Sequence, residues 1–174
     1  VGDYDYDGRP DLAVSFNGRV SLFHNEGNGT FKDVTEASGI KTEGIALGLT
    51  FIDYDHDGDL DLYVTRFNDF PLRNPGEPFQ FPKDGMAPGN VLWRNNGNGT
   101  FTEWTKETGL EGAGPDIAAI GSDLNNDRAV DLVVTGWQKS PIVYTNPREG
   151  KFPATEPWSS EMPGPAAGAV ALDF

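Results

Sequence analysis

Asp53-Tyr54-Asp55-His56-Asp57-Gly58-Asp59-Leu60-Asp61 is the stretch whose reading decides the fold. Its acids fall at positions 1, 3, 5, 7 and 9, with Gly58 at position 6. An apolar run, Leu47–Ile52, leads into it, and Leu62–Phe67, rich in β-formers, leaves it. That arrangement is a tight acidic turn between two strands. The same nine positions occur earlier as Asp3-Tyr4-Asp5-Tyr6-Asp7-Gly8-Arg9-Pro10-Asp11. They return in altered form as Asp123-Leu124-Asn125-Asn126-Asp127-Arg128-Ala129-Val130-Asp131.

The spacing is regular. Asp3 and Asp53 are 50 residues apart, as are Asp123 and Asp173, and the 70 residues between Asp53 and Asp123 are one such unit plus about 20 more. A second marker keeps the same period: Asn25-Glu26-Gly27-Asn28-Gly29-Thr30-Phe31 matches Asn95-Asn96-Gly97-Asn98-Gly99-Thr100-Phe101, and Asn146–Phe152 is a degraded third copy. Repetition at a fixed period of this size is the mark of a repeat architecture. Each unit reads as four short strands; in the second they are Leu47–Ile52, Leu62–Phe67, Val91–Asn95 and Thr100–Thr105. Asn98-Gly99 is expected to turn the last hairpin through two positive-φ positions. Thr35–Gly39 and Thr105–Gly109 read as single helical turns capped by the Thr and stopped by the Gly.

Four antiparallel strands per unit predict an all-β protein, a β-propeller of four-stranded antiparallel blades. The units run at about 1–46, 47–116 with an insertion at 68–89, and 117–166, and a further blade opens at 167–174. Three blades alone would expose two strand edges, an aggregation hazard. The expectation is therefore a partial propeller completed by further chain, or by a second copy.

Composition narrows the function. The chain holds 174 residues, 27 acidic against 13 basic, for a net charge of −14, and no Cys. That balance argues against nucleic acid and anionic membrane surfaces as partners, because phosphate binding needs Lys and Arg. No apolar run approaches the roughly 18 residues of a bilayer span, so no direct membrane insertion is expected. The absence of Cys removes disulfide scaffolds and thiolate metal sites. Of the 17 Asp residues, 13 lie in the three loops or at Asp173, and without them the net charge would be −1.

Such loops suit a cation. Ca²⁺ (calcium) takes six to eight oxygen ligands from carboxylates and carbonyls. The expected ligands are Asp3, Asp5, Asp7, the Arg9 carbonyl and Asp11 in the first loop. In the second they are Asp53, Asp55, Asp57, the Asp59 carbonyl and Asp61, and in the third Asp123, Asn125, Asp127, the Ala129 carbonyl and Asp131. Asp173 opens a fourth. Gly8 and Gly58 permit the bend at position 6. An EF-hand does not fit: it needs a bidentate Glu at position 12, where Val14, Val64 and Val134 stand inside strands. No His or Cys occupies a loop ligand position, which argues against Zn²⁺ and Cu²⁺; His56, at position 4, is expected to face solvent. Mg²⁺ remains an alternative, though it prefers to keep its waters.

These loops, with the N-x-G-N-G-T-F hairpins, resemble FG-GAP/VCBS repeats. Leu92–Phe101, followed by Glu103-Trp104-Thr105, is similar to the cartilage acidic protein-like members. The resemblance implies an integrin-α-like propeller of seven blades with Ca²⁺ between the first two strands of a blade. It implies a secreted, periplasmic or surface-bound protein that serves adhesion, carbohydrate contact or complex assembly. Arg128 for Gly and Asn125 for Asp depart from the pattern and place the third site below the other two.

A partner face is expected opposite the loops. The insertion carries Phe70, Phe79 and Phe81 among five prolines, and Trp137 leaves the third unit on the same side. Proline-stiffened aromatics suit a protein or sugar contact. Trp93 and Trp104 read as core between blades. No nucleophile–base arrangement, phosphate loop or paired-acid cleft is present, so a non-enzymatic binding or assembly role is expected. A carbohydrate-binding or polysaccharide-lyase propeller is the alternative, since some lyases resemble this repeat family.

Overall fold

The structure is a computed structural model. It describes residues 1–174 except 17, 43, 69–88, 113, 138, 160–165, 167 and 171–174. Three antiparallel sheets follow one another along the chain. The first has three strands, β1 (Leu12–Phe16), β2 (Arg19–Asn25) and β3 (Phe31–Asp33), and is followed by the single turn α1 (Thr35–Ser38). The second has four: β4 (Ile45–Ile52), β5 (Asp61–Asn68), β6 (Val91–Asn95) and β7 (Phe101–Glu103), followed by α2 (Thr105–Thr108). The third has β8 (Asp116–Ser122), β9 (Asp131–Gly136), β10 (Lys139–Tyr144) and β11 (Ala154–Thr155). Each sheet is a meander in which sequence neighbours pair. In the first, the Gly2–Asp11 bridge stands where the others have a full strand pair before the acidic loop. It repeats the pairs Ile52–Asp61 and Ser122–Asp131.

The middle sheet explains how the sheets stack. Successive strand residues point to opposite faces. Leu62, Val64, Val91 and Trp93 therefore meet Val20, Leu22 and Ile40 of the first unit, while Tyr63 and Leu92 meet Leu132, Val134 and Tyr144 of the third. Both faces are buried, so Leu62-Tyr63-Val64 reads as an uninterrupted apolar run. Each such side chain contributes about 1.5–3 kcal/mol on burial. The first strands of the second and third sheets touch directly: a Cβ on Gly48 would sit 2.9 Å from the Ala118 Cα, and the Thr50 hydroxyl donates to the Ala119 carbonyl at 2.7 Å.

Three local expectations need correction. The helical turns are stopped by Gly39 (φ 80°) and Gly109 (φ 70°), but Val34 and Trp104 stand at their N-caps, without side-chain caps. The Thr hydroxyls instead accept the third-strand N–H groups of Leu22 (2.9 Å) and Leu92 (3.0 Å), which ties each turn to its sheet. In the hairpins the positive φ values belong to Gly27 and Gly29, and to Gly97 and Gly99. Asn98 instead closes a side-chain turn on the Thr100 N–H at 3.0 Å. Trp104 lies beyond β7 rather than within a strand, although it still packs against the second core cluster.

Candidate metal centre

The three acidic loops connect the first and second strands of their units. Position 6 bends as the spacing requires, at Gly8 (φ 84°), Gly58 (φ 95°) and Arg128 (φ 70°). Position 4 bends too, at Tyr6 (58°), His56 (59°) and Asn126 (60°), and no sequence signal marked it. The two left-handed residues coil the backbone around the odd-numbered acids. His56 is exposed, as expected.

Position 9 is the anchor of each loop. Asp11, Asp61 and Asp131 are buried. In each, Oδ2 accepts the N–H of position 2: Tyr4 at 3.2 Å, Tyr54 at 3.2 Å and Leu124 at 3.0 Å. Oδ1 accepts the N–H of the asparagine that ends the third strand, Asn25 or Asn95, or of Asn146 just beyond β10, all at 2.8 Å. Expected as a ligand alone, this Asp also locks loop to sheet. Burial pushes the Asp61 carboxyl up to about 8, against the two N–H donors and with the charges of Asp55 and Asp57. Burial raises Asp11 as well. A cation beside these groups would reverse that tendency.

The remaining acids converge. Asp3, Asp5 and Asp7 each offer an oxygen within 4.8 Å of the others, and so do Asp53, Asp55 and Asp57. The Asp53 and Asp55 Oδ1 atoms are shut off from solvent and have no hydrogen-bond partner. Anionic oxygens left without donors cost free energy unless a cation meets them. An all-oxygen, flexible donor set of this kind fits Ca²⁺. Of the position-7 residues, Ala129 is buried, Asp59 donates its N–H to Asp57 Oδ1 at 2.9 Å, and the Arg9 side chain folds onto Asp7 and the Asn25 carbonyl.

The third loop differs from the first at position 3 rather than at position 1, where Asp3 likewise accepts the N–H groups of Asp7 (3.2 Å) and Gly8 (2.9 Å). Asp123 accepts the N–H groups of Asp127 (3.0 Å) and Arg128 (2.9 Å), and the Asn125 amide donates to Asp127 Oδ2 at 2.9 Å. The Ala129 N–H, with help from Asn125 and Arg148, holds the Asp127 carboxyl below its ordinary value. Among the described residues this loop forms no trio of converging carboxylates. Asp173 lies outside the described residues.

Two residues that the sequence reading passed over reach the loops from the third strand, one place before the asparagine. Arg94 donates from Nε to Asp55 Oδ2 at 2.7 Å and from Nη2 to Asp57 Oδ2 at 3.2 Å. In the first unit the same place is His24. Its Nδ1 lies 3.1 Å from Asp5 Oδ2 and 3.5 Å from Asp11 Oδ1, and its Nε2 lies 3.7 Å from Asp7 Oδ2. No His occupies a ligand position within the loops, but His24 reaches the first loop from across the sheet. The available signal was register: a residue adjoining the asparagine that binds position 9 must stand over positions 3 and 5.

At the opposite end, Trp137 is half-buried in the turn after β9, its N–H on the Pro115 carbonyl at 2.8 Å. Phe70, Phe79 and Phe81 lie outside the described residues. Asn90, where the chain returns from the insertion, donates to Asp116 Oδ2 (2.8 Å) and to the Tyr63 hydroxyl (2.9 Å). Asp116 also pairs with Lys139 at 2.6 Å.

Residues 3–64 match the family model of the FG-GAP-like repeat, a span that takes in the first two acidic loops and the first half of β5. A repeat of that kind points to a β-propeller-type protein-interaction module. No curated protein matches the chain. Among the described residues no helix is long and apolar enough to cross a membrane.

Proposed function

We propose that the chain is part of a Ca²⁺-loaded β-propeller that works outside the cytoplasm as a non-catalytic protein-interaction and assembly module. The observation that carries this reading is a junction made twice. Asn95 Nδ2 donates to the Tyr4 carbonyl at 2.8 Å while Tyr4 tilts against Phe101 at 5.8 Å. Asn146 Nδ2 donates to the Tyr54 carbonyl at 2.7 Å while Tyr54 tilts against Phe152 at 6.4 Å. A repeated junction between like sheets turns each by a similar angle, which is how a ring of blades grows.

The two end faces carry the unmatched halves of that junction. Phe31, the counterpart of Phe101, is 44% exposed, and Leu124, the counterpart of Tyr4 and Tyr54, is 45% exposed. Further blades of the same kind, in a longer chain or a second copy, would cover them. The first two loops would hold Ca²⁺ at one end of the ring. Extracellular Ca²⁺ modules are tuned to about 10⁻⁴–10⁻³ M, which agrees with a secreted, periplasmic or surface location.

The other end would carry the partner contact, through Phe70, Phe79, Phe81 and Trp137. Deleting residues 69–88 tests it. Partner association should weaken while Ca²⁺ uptake and the melting transition persist. Loss of polysaccharide turnover with association unchanged would overturn the non-enzymatic reading in favour of a lyase.

A further inference from the structure

The first two loops are built alike from positions 1 to 9, yet different groups overhang them from the third strand. In the second loop Arg94 closes over the outer oxygens of Asp55 and Asp57 with two aligned hydrogen bonds. In the first, the His24 Nδ1 is shut off from solvent and makes no hydrogen bond, although Asp5 Oδ2 is only 3.1 Å away. An imidazolium paired with Asp5 would aim its N–H along that line. Without that bond, the nitrogen stands within reach of two carboxylate oxygens, Asp5 Oδ2 and Asp11 Oδ1, that one cation could join to it.

The distances fit such a cation. Cis ligands at about 2.1 Å from a metal stand roughly 3.0 Å apart in an octahedron and roughly 3.4 Å apart in a tetrahedron. His24 Nδ1 lies 3.1 Å from Asp5 Oδ2 and 3.5 Å from Asp11 Oδ1, and one atom from each of the three residues lies within 4.8 Å of the others. Each Asp11 oxygen accepts one backbone N–H and keeps a lone pair for a cation. Imidazole nitrogen favours Zn²⁺, Cu²⁺ and their first-row neighbours, whereas Ca²⁺ and Mg²⁺ choose oxygen.

We infer that the first loop is a mixed nitrogen–oxygen site in which Asp5, Asp11 and His24 hold a first-row transition-metal dication, while Arg94 restricts the second loop to oxygen-bound cations. The inference rests on the reading of the loops as cation sites and assigns them different ions. Asp5 belongs to both donor sets of the first loop, so Ca²⁺ and the transition metal compete there.

Cobalt(II) is the probe, because its visible absorption reports the ligands around it. The protein is titrated with Co²⁺ alone, and separately with Ca²⁺ alone, as wild type, His24→Gln and Arg94→His. Losing an outer-shell partner of a metal ligand typically costs about 10–100-fold in metal affinity, and losing the ligand costs no less. His24→Gln should therefore weaken Co²⁺ by at least about tenfold and leave Ca²⁺ within about twofold, since Ca²⁺ takes oxygen. A Co²⁺ titration of folded His24→Gln that superimposes on wild type overturns the inference. If His24→Gln does not fold, Arg94→His decides: a second Co²⁺ site supports the inference, and its absence in folded protein overturns it. Wild type that takes Co²⁺ through His24 but no Ca²⁺ removes the Ca²⁺ reading and leaves this one standing. Ca²⁺ uptake with Co²⁺ binding indifferent to His24 does the reverse.

Discussion

Asn95→Ala should destabilise the protein far more than Asn25→Ala, although the two residues stand at the same place in successive units. Asn95 is 2% exposed. Its Nδ2 donates to the Tyr4 carbonyl of the preceding unit at 2.8 Å and to the Leu60 carbonyl at 3.2 Å, and its Oδ1 accepts the Gly97 N–H at 3.1 Å. Truncation strands these partners where water does not easily reach. Each buried group left unmet costs about 1–3 kcal/mol, so a total near 2–4 kcal/mol is expected. For a chain of this size 1 kcal/mol moves the midpoint by roughly 2–4 °C, which places the drop at about 5–15 °C. Asn25 donates to the exposed Pro10 carbonyl at 2.9 Å and accepts the Gly27 N–H at 3.0 Å, both within its own unit. Its truncation should cost about 1 kcal/mol or less. Calorimetric melts of both variants, with and without Ca²⁺, make the comparison. Equal losses would refute the reasoning, because the junction between sheets would then add nothing to the hairpin bonds that both residues make.

Stability of the metal-free protein should fall as pH rises. The folded carboxyl of Asp61 is raised to about 8, so the folded state holds a proton that the unfolded chain has released; the loss begins near the ordinary carboxylate range and is complete above 8. Asp11 and Asp116, both raised by burial, act in the same direction, while the lowered Asp33 and Asp127 act only at more acid pH. Melts in chelator at pH 5 and 8.5 should show the decline and saturating Ca²⁺ should reduce it; a flat or rising profile in chelator would contradict it. Asp57→Ala should remove a tighter Ca²⁺ site than Asp127→Ala, because Asp53, Asp55 and Asp57 converge while the third loop, among the described residues, brings together no such trio and ties Asp127 Oδ2 to the Asn125 amide. Single-loop variants in titration calorimetry would rank them, and the reverse order would refute the comparison. Lys139→Met leaves Asp116 buried without its cation and should cost about 3–5 kcal/mol; adding Asp116→Asn should recover much of that in a urea titration, and no recovery would count against the pairing.

The parts legible in the sequence were those written in short spacings. Alternating acids with Gly8 and Gly58 specify a turn between strands, and the paired markers specify like units, because both depend on residues within one loop. What depends on register across a sheet was not legible. Arg94 and His24 meet the loops only because the next residue's N–H binds Asp61 or Asp11, a pairing over 34 or 14 positions. The Asp116–Lys139–Asn90 cluster joins β8, β10 and the residue just before β6, and has no local signature. The Thr caps failed for a related reason. Thr35 and Thr105 look like helix starts locally, but third-strand N–H groups claim their hydroxyls. Position 4 escaped notice because Tyr6, His56 and Asn126 share no side-chain chemistry; the loop's closure imposes their left-handed backbone.

The most direct test of the account is a count of Ca²⁺ ions per chain by native mass spectrometry, with Ca²⁺ as the only metal offered. The account predicts two tightly held ions in the wild type. Asp5→Ala should remove one, Asp55→Ala the other, and the double variant both, with each protein still folded. No retained Ca²⁺, or a count that the two substitutions leave unchanged, would contradict it.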